Sequence, residues 1–374
     1  MNFVCIINKK NLKKNPLLKE VKKINKSYLK SDHIKSTKFH TRAKIQKFAN
    51  LTDISLLEAV DEKCASLPLK SMSADGIITL CRDAGITGGS GNGFPVSDKL
   101  DAIKDKNVTL IINGVECDPG LVHDAWIYRN RFKEVVCGIN LLRSAFGFRR
   151  VILATKEPLN MDTDIEQVKI ADRFPMGYEN ALIKAVLDID LAPGEKPTDR
   201  NILVMNIQTV LSIANVISDK ASAKEKYITL ALLDKAKAYA VKVKVGMKLS
   251  DIITKLVPSE ELESKLIYAG GGALFCHKAD SNEIVEPTTS YIAIANETIY
   301  DENAMCKKCG KCTGKCPAGV SVHKIVGLSA ANSLTPQLAK ALGADKCIGC
   351  GACTYGCAAG KDIRQIVFAA KELI

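Results

Sequence analysis

Apolar residues in the middle of this chain fall into short unbroken runs, each ending on a polar residue and a turn. Val108-Thr109-Leu110-Ile111-Ile112 runs into Asn113-Gly114-Val115-Glu116-Cys117-Asp118-Pro119-Gly120. Arg149-Arg150-Val151-Ile152-Leu153-Ala154 is a second run, and Asn201-Ile202-Leu203-Val204-Met205-Asn206 a third. Continuous Val/Ile/Leu runs of this length suit strands of a parallel sheet that is covered on both faces. Between them the spacing turns helical. Helices are expected over residues 125–146, over residues 181–187 after the loop Phe174-Pro175-Met176-Gly177-Tyr178-Glu179-Asn180, and over residues 209–217. Strands alternating with helices predict an α/β layer domain whose ligand groups gather at the carboxyl ends of the strands.

The flanks carry other patterns. Residues 54–83 show helical spacing, with Leu56, Leu57 and Val60 on one face and residues 76–81 leading into a turn. Past residue 230, Ala240-Val241-Lys242-Val243-Lys244-Val245 alternates strictly, as a half-exposed strand does. A short helix is expected within residues 246–256, then strands at residues 266–269, just before Gly270-Gly271-Gly272, and at residues 288–294. This predicts a small α+β module with a joining role and no evident catalytic residue.

One stretch is neither helix nor strand. Gly85-Ile86-Thr87-Gly88-Gly89-Ser90-Gly91-Asn92-Gly93-Phe94-Pro95, followed by Lys99, holds too many glycines for a regular element. Such a loop lets backbone N–H groups approach a phosphate or a flat ring, although a plain flexible turn has the same composition. It does not fit the dinucleotide fingerprint GxGxxG.

Charge changes the picture only when it is located. The formal net charge is +12, but the first fifty residues hold fourteen Lys/Arg against Glu20 and Asp32, and the rest of the chain is neutral. A neutral body with a basic arm argues against a nucleic-acid-binding protein and for a solvated or partner-docking extension. No run approaches 18 apolar residues, so no membrane span is expected, and docking to a membrane partner stays open.

The strongest chemical signal is the cysteine pattern. Cys306-x2-Cys309-x2-Cys312-x3-Cys316-Pro317 is repeated as Cys347-x2-Cys350-x2-Cys353-x3-Cys357. Three thiolates at this spacing wrap a tight loop around three corners of a cubane, and in two-cluster ferredoxins the fourth cysteine ligates the other cluster. The spacing therefore predicts two [4Fe–4S] clusters, one on Cys306, Cys309, Cys312 and Cys357, the other on Cys347, Cys350, Cys353 and Cys316. Paired CxxC zinc sites lack this third and fourth spacing. Disulfides would need an oxidising compartment, whereas the apolar run at residues 1–7 is too short for a secretory signal and lysines follow it. A cytoplasmic location is expected. The other six cysteines (Cys5, Cys64, Cys81, Cys117, Cys137, Cys276) read as small buried hydrophobes.

Taken together, the Gly88–Pro95 loop with Lys99, the Asn113-Gly-Val-Glu116-Cys-Asp118-Pro119 motif, Phe174-Pro-x-Gly177-x-Glu179, Asn206 and the paired cysteine runs resemble a known family. The chain looks like the RnfC-type electron-transport subunits, which share their flavin domain with the NADH-oxidising 51-kDa subunit of respiratory complex I. It is also similar to microcompartment cobalamin reductases and to proline-reductase-associated electron carriers. The resemblance implies an α/β fold in several parts: a basic arm and lead-in helix (residues 1–74), a complex I 51-kDa-like FMN-binding α/β domain (75–228), a β-grasp (SLBB-like) module (229–297) and an α-helical dicluster ferredoxin-like domain (298–374). It implies FMN held by Gly88, Gly91, Gly93, Lys99, Asn113, Glu116, Gly177, Glu179 and Asn206, with Phe94 near the place where the nicotinamide of NADH stacks. Ser90 and Asn92 depart from the family's glycine and alanine, and Phe174 stands where a tyrosine is common.

The expected function is electron transfer between NADH, through FMN and the clusters, and a partner redox protein or a larger oxidoreductase complex, peripheral to a membrane if membrane-associated. A non-catalytic iron–sulfur relay with a degenerate flavin site and a cobalamin reductase are the competing expectations. The visible spectrum after addition of NADH separates the relay from the enzyme.

Overall fold

The computed structural model describes residues 72–374 except residues 90–92, 158–162, 173, 193, 219–224, 236 and 300–303, together with the backbone of Ile54–Leu56. The basic arm lies outside the described residues, as do Cys5 and Cys64.

Ser73 starts the first described helix, α1 (Ala74–Asp83), its hydroxyl accepting from the Gly76 N–H. Residues 76–81, expected to lead into a turn, lie inside this helix, which ends at the left-handed Gly85. A short α2 (Val96–Asp101) follows the glycine loop. The three apolar runs form β2 (Thr109–Gly114), β3 (Arg150–Thr155) and β5 (Ile202–Asn206), joined at the edge by β4 (Glu166–Lys169). All pair in parallel, in the order β4-β3-β2-β5. Alternate residues feed two cores. Leu110, Ile112, Leu153, Leu203 and Met205 pack under the helices α3 (His123–Asn130), α4 (Phe132–Phe146) and α6 (Ile207–Ile217), while Ile111, Ala154, Ile202 and Val204 pack with Ala181, Leu182 and Ile183 of α5 (Glu179–Leu187). Expected as one helix, residues 125–146 are two, because the chain leaves helical geometry at Arg131.

The second sheet mixes directions: β1 (Ile54–Leu56), β7 (Lys237–Lys244), β6 (Glu225–Leu232), β10 (Tyr291–Ala295), β8 (Leu266–Gly272) and β9 (Phe275–Ala279), in that order. Here the helix expected over residues 54–83 is corrected at its start, since Ile54–Leu56 pairs in parallel with β7. The expected module boundary at residue 229 falls inside β6. One face of this sheet packs on Leu249, Ile252 and Ile253 of α7 (Leu249–Ile253), and α8 (Ser259–Leu262) follows. The other face carries Tyr268, Leu274 and Tyr291, which pack with Leu121 and Phe174 of the first sheet's loops and with Cys350, Ala352 and Tyr355 downstream. Leu274 is held from both sides: its N–H donates to Asp118 Oδ2 at 3.0 Å and its carbonyl accepts from Arg364 Nη1 at 3.4 Å. The module is therefore the joint that fixes the cysteine segment against the α/β domain.

That segment is a set of short helices: α9 (Lys311–Lys315), α10 (Val322–Ala330), α11 (Pro336–Ala341), α12 (Ala352–Tyr355) and α13 (Arg364–Glu372). Val320, Ile325, Val326, Ile363, Val367 and Ala370 form its core, against Cys312 and the partly buried Cys316, Cys347, Cys353 and Cys357.

Candidate flavin and iron–sulfur site

Strand order places the main cavity. β3 and β4 lie on one side of β2 and β5 on the other, so the chain switches direction between β2 and β5, where open α/β sheets bind ligands. Asn113 and Asn206 end these two strands and are register partners across the switch. Around them opens a cavity of about 370 Å³, within the range of small-molecule and cofactor sites. Its walls include Gly88, Lys99, Asn113, Asp118, Gly177, Glu179 and Asn206 from the α/β domain, Gly271 from β8, and Cys347, Ile348, Gly349, Phe368 and Lys371 from the cysteine segment.

Each predicted cavity residue is positioned by local structure. The glycine loop is closed at its neck by a bridge between Thr87 and Pro95, and Gly89 N–H donates to Thr209 Oγ1 at 2.9 Å, tying the loop to the start of α6. Gly88 has room: a β-carbon there would meet only the Phe94 carbonyl at 3.7 Å, so its bare backbone faces open space. Lys99 Nζ lies 3.3 Å from Glu179 Oε1 and 3.5 Å from the Val204 carbonyl. Asn113 Nδ2 donates to the Gly177 carbonyl at 2.9 Å, and its Oδ1 accepts from Val115 N–H at 3.0 Å. Asn206 caps α6 through Gln208 N–H at 2.8 Å. Phe94 is 48% exposed and not part of the cavity wall, its ring 6.0 Å from Lys99 Nζ. Gly93 stands in the left-handed region beside the loop, outside the cavity wall, and Gly91 lies outside the described residues.

Glu116 departs from its expected place. It is not part of the cavity wall; its Oε1 accepts from Asp124 N–H at 2.8 Å and Ala125 N–H at 3.1 Å. α3 starts at Val122 without a side-chain cap, so its first N–H groups need an acceptor and Glu116 supplies one. Asp124 Oδ2 in turn accepts from Asn206 Nδ2 at 2.8 Å, so the buried pair supports the cavity wall from behind. Ligand atoms of Glu116, His123 and Asp124 lie within 4.8 Å of one another. Glu116 Oε2 and Asp124 Oδ1 have no hydrogen-bond partner among the described residues. Burial pushes Asp124 up to about 7 and raises Glu116 well above the carboxylate range, with the Asp124 charge adding to the latter. Burial lowers His123 to about 3 and Lys226 to about 8. Burial of both carboxyls, and the charge of Asp124 on Glu116, favour their protonated forms.

This arrangement makes a signed prediction. The folded-state pKa of Asp124 lies above its unfolded value of 3.8, so between about pH 4 and pH 7 the folded protein binds more protons than the unfolded chain. Stability from this group is greatest below that window and falls as pH rises through it. In Asp124→Asn the group is gone and the amide oxygen still accepts from Asn206. The melting temperature of the variant relative to wild type is expected to climb by roughly 3–8 °C between about pH 5 and pH 8. A gap that stays flat across that range would mean that Asp124 holds no extra proton.

The cysteines of the two runs lie close together, Cys353 having Cys312 as well as Cys347 and Cys316 for neighbours. Cys312 has Cys357 and Cys306 as its thiol neighbours, while Cys350 has Cys353, Cys316 and Cys347. Cys316, Cys347, Cys350 and Cys353 line one void of about 20 Å³. Backbone N–H groups point at the sulfurs: Lys308 to Cys306 at 3.4 Å, Val320 to Cys316 at 3.3 Å and Ala359 to Cys357 at 3.4 Å. Burial pushes the thiols of Cys312 and Cys353 up to about 11 and about 12, so a bound cation is what would keep them ionised. Clustered thiols with N–H donors around an enclosed void suit iron–sulfur ligation. Of the remaining cysteines, Cys81 and Cys276 are buried, and Cys117 and Cys137 half-buried.

Several cavity residues were not anticipated. Asp118 and Tyr178 sit inside motifs already singled out, but Phe368 and Lys371 come from a helix that itself holds no glycine or cysteine. Lys371 Nζ donates to the Cys347 carbonyl at 2.8 Å, which fixes the end of α13 to the second cysteine loop.

Comparison with known proteins agrees with this geometry. Residues 81–215 match the family model described as the Nuo51 FMN-binding domain, and residues 305–361 match the 4Fe-4S dicluster domain. The RnfC-type subunit of the Na(+)-translocating ferredoxin:NAD(+) oxidoreductase complex of Acetobacterium woodii is 25% identical over 71% of this chain and 62% of its own length. The corresponding subunit of the ion-translocating oxidoreductase complex of Haemophilus influenzae is 25% identical over 68% of this chain and 33% of that one. The counterpart in the proton-translocating ferredoxin:NAD(+) oxidoreductase complex of Clostridium ljungdahlii is 23% identical over 66% and 57%. The chain thus spans less than two thirds of the length of these relatives. Two crystal structures of NAD+-reducing [NiFe]-hydrogenase share its fold, with TM-scores of 0.56 and 0.58 at 14% and 16% identity, covering 85% and 86% of this chain and 68% of each matched chain. The chain is therefore similar to the Nuo51 FMN-binding domain over residues 81–215 and to the 4Fe-4S dicluster domain over residues 305–361, and over its matched length to the RnfC-type subunits of ion-translocating oxidoreductase complexes.

Proposed function

We propose that this chain is a cytoplasmic flavin/iron–sulfur subunit passing electrons between NADH and a larger oxidoreductase complex through two [4Fe–4S] clusters. The observation that carries the reading is a shared wall: the Cys347-Ile348-Gly349 turn closes the same cavity that the strand-end loops open. Among the described residues no helix is long and apolar enough to cross a membrane, which is compatible with a peripheral place in such a complex.

FMN, when bound, would supply the exchange between a hydride's electron pair and the single electrons that clusters carry. The chain's own residues would hold it. Gly88 presents bare backbone, Lys99 and Lys371 supply positive charge for a phosphate or an electron-rich ring edge, and Asn113, Asn206 and Glu179 offer hydrogen bonds. Cys316, Cys347, Cys350 and Cys353 would hold the cluster beside the cavity, and Cys306, Cys309, Cys312 and Cys357 the cluster farther out. Phe94, beside the cavity residue Lys99, offers an exposed ring for a nicotinamide to stack on.

The test is the visible spectrum of anaerobically purified protein. Extractable FMN close to one per chain and bleaching by NADH are expected; broad cluster absorption with no FMN would leave only a cluster relay.

A further inference from the structure

The stretch of chain that carries the first cysteine run is one-sided in charge. Residues 304–344 contain no Asp or Glu, yet hold Lys307, Lys308, Lys311, Lys315, Lys324 and Lys340. Lys307, Lys308, Lys311 and Lys324 are exposed, and among the described residues none of them pairs with a carboxylate. The lysines surround Cys306 and Cys309, the two cysteines of the runs that are exposed, and Met305 beside them is 86% exposed.

The backbone adds a second, independent observation. The two cysteine loops repeat each other: Gly310 and Gly351 take φ of 69° and 72°, and Lys308 and Gly349 take φ of 50° and 71°. At the second loop glycine is also demanded by space, because a β-carbon on Gly349 would lie 2.7 Å from Phe368 Cζ. At the first loop a lysine occupies a left-handed position that glycine would fill without strain. The left-handed turn aims the Lys308 N–H at Cys306 Sγ and leaves the lysine side chain exposed beside the cysteine loop.

We propose that this face docks a small acidic iron–sulfur protein or domain, its carboxylates against Lys307, Lys308, Lys311 and Lys324, its cluster facing the Cys306–Cys309 edge. The proposal rests on the functional reading above for the outer cluster. Transfer across the face moves one electron: one cluster is oxidised, the other reduced, and no bond or proton changes place. Opposed charge steers and orients such an encounter, and salt weakens it.

The probe is an acidic plant-type [2Fe–2S] ferredoxin, with its binding to the anaerobic holoprotein measured by interferometry. Affinity is expected to fall about tenfold between roughly 50 and 300 mM salt, and about tenfold in K307E/K311E/K324E at low salt. K133E/K248E/K278E makes the same net charge change on exposed lysines elsewhere and is expected to weaken binding less than about twofold. Lys308→Gly is expected to raise the melting temperature while weakening binding a few-fold, a combination that a merely structural lysine would not give. No measurable binding by wild type, a first triple variant that binds like wild type, or a control that loses as much would each overturn the proposal. Iron content and NADH bleaching are recorded on the same samples. Lost bleaching with binding intact would sink the functional reading alone, and intact bleaching with salt-independent binding would sink the docking face alone.

Discussion

Cys316→Ser is expected to remove the cluster nearest the cavity, although Cys316 belongs to the first run and its companions to the second. Iron and sulfide per chain should fall toward half. Cys350→Ser should lose the same reduced-cluster resonance, and Cys309→Ser the other one. The crossed grouping makes this expectation sharp. Cys316 shares one void with Cys347, Cys350 and Cys353, whereas Cys312 lies outside that void, beside Cys306 and Cys357 as well as Cys353. A second consequence is mechanical. A cluster bound by Cys316 and by the Cys347–Cys353 loop ties two strands of chain some thirty residues apart, and binding free energy of that kind is folding free energy. The core of this segment is small, so loss of the tie should also broaden and lower its melting transition. NADH should still bleach the flavin band of the Cys316 variant while the outer cluster stays oxidised. If Cys316→Ser and Cys309→Ser abolish the same resonance, the crossed assignment is wrong.

How far the fold was legible follows from where the polarity lies. β2, β3 and β5 are nearly or fully buried along their length, and a strand covered on both faces must be an apolar run, so all three were readable. β4 is Glu-Gln-Val-Lys at the sheet edge with no buried residue, and nothing in its composition marks a strand. β1 is three residues that pair with a strand more than 180 positions away, a partnership local spacing cannot encode. Its apolar residues fit a helix as well as a strand, and tertiary pairing decided between them.

The candidate site divides the same way. Backbone-driven features could be anticipated from residue type: glycines at the loop, amides at strand ends, thiols at fixed spacing. Side-chain direction could not. Glu116 follows β2 by two residues, so it had two outlets, the cavity or the uncapped start of α3, and the helix N–H groups took it. Nor could the third wall be read. Phe368 and Lys371 reach the cavity through tertiary packing, with Leu274, clasped by Asp118 and Arg364, among the contacts that hold the cysteine segment against the α/β domain.

Gly177→Ala should damage both the fold and the flavin site, and its contrast with Gly88→Ala separates the two effects. A β-carbon on Gly177 would lie 2.6 Å from Cys117 Cα and from the Val115 carbonyl, and 2.8 Å from Cys117 N. All three are backbone atoms of the segment after β2, so no side chain can swing aside. The two loops must move apart, and with them the Asn113 amide that now bonds the Gly177 carbonyl at 2.9 Å. Overpacking of this kind costs about 1–3 kcal/mol, or roughly 1–5 °C in melting temperature for a chain of this size. Affinity for added FMN, followed by quenching of its fluorescence, should fall by more than about tenfold, since displacing positioning groups by about an ångström is costly. At Gly88 the same methyl meets nothing closer than 3.7 Å and projects into the cavity. Gly88→Ala should therefore melt like wild type while binding FMN weakly. If both variants keep wild-type FMN affinity, the flavin lies elsewhere, and the cavity at the β2–β5 switch would have to be reassigned.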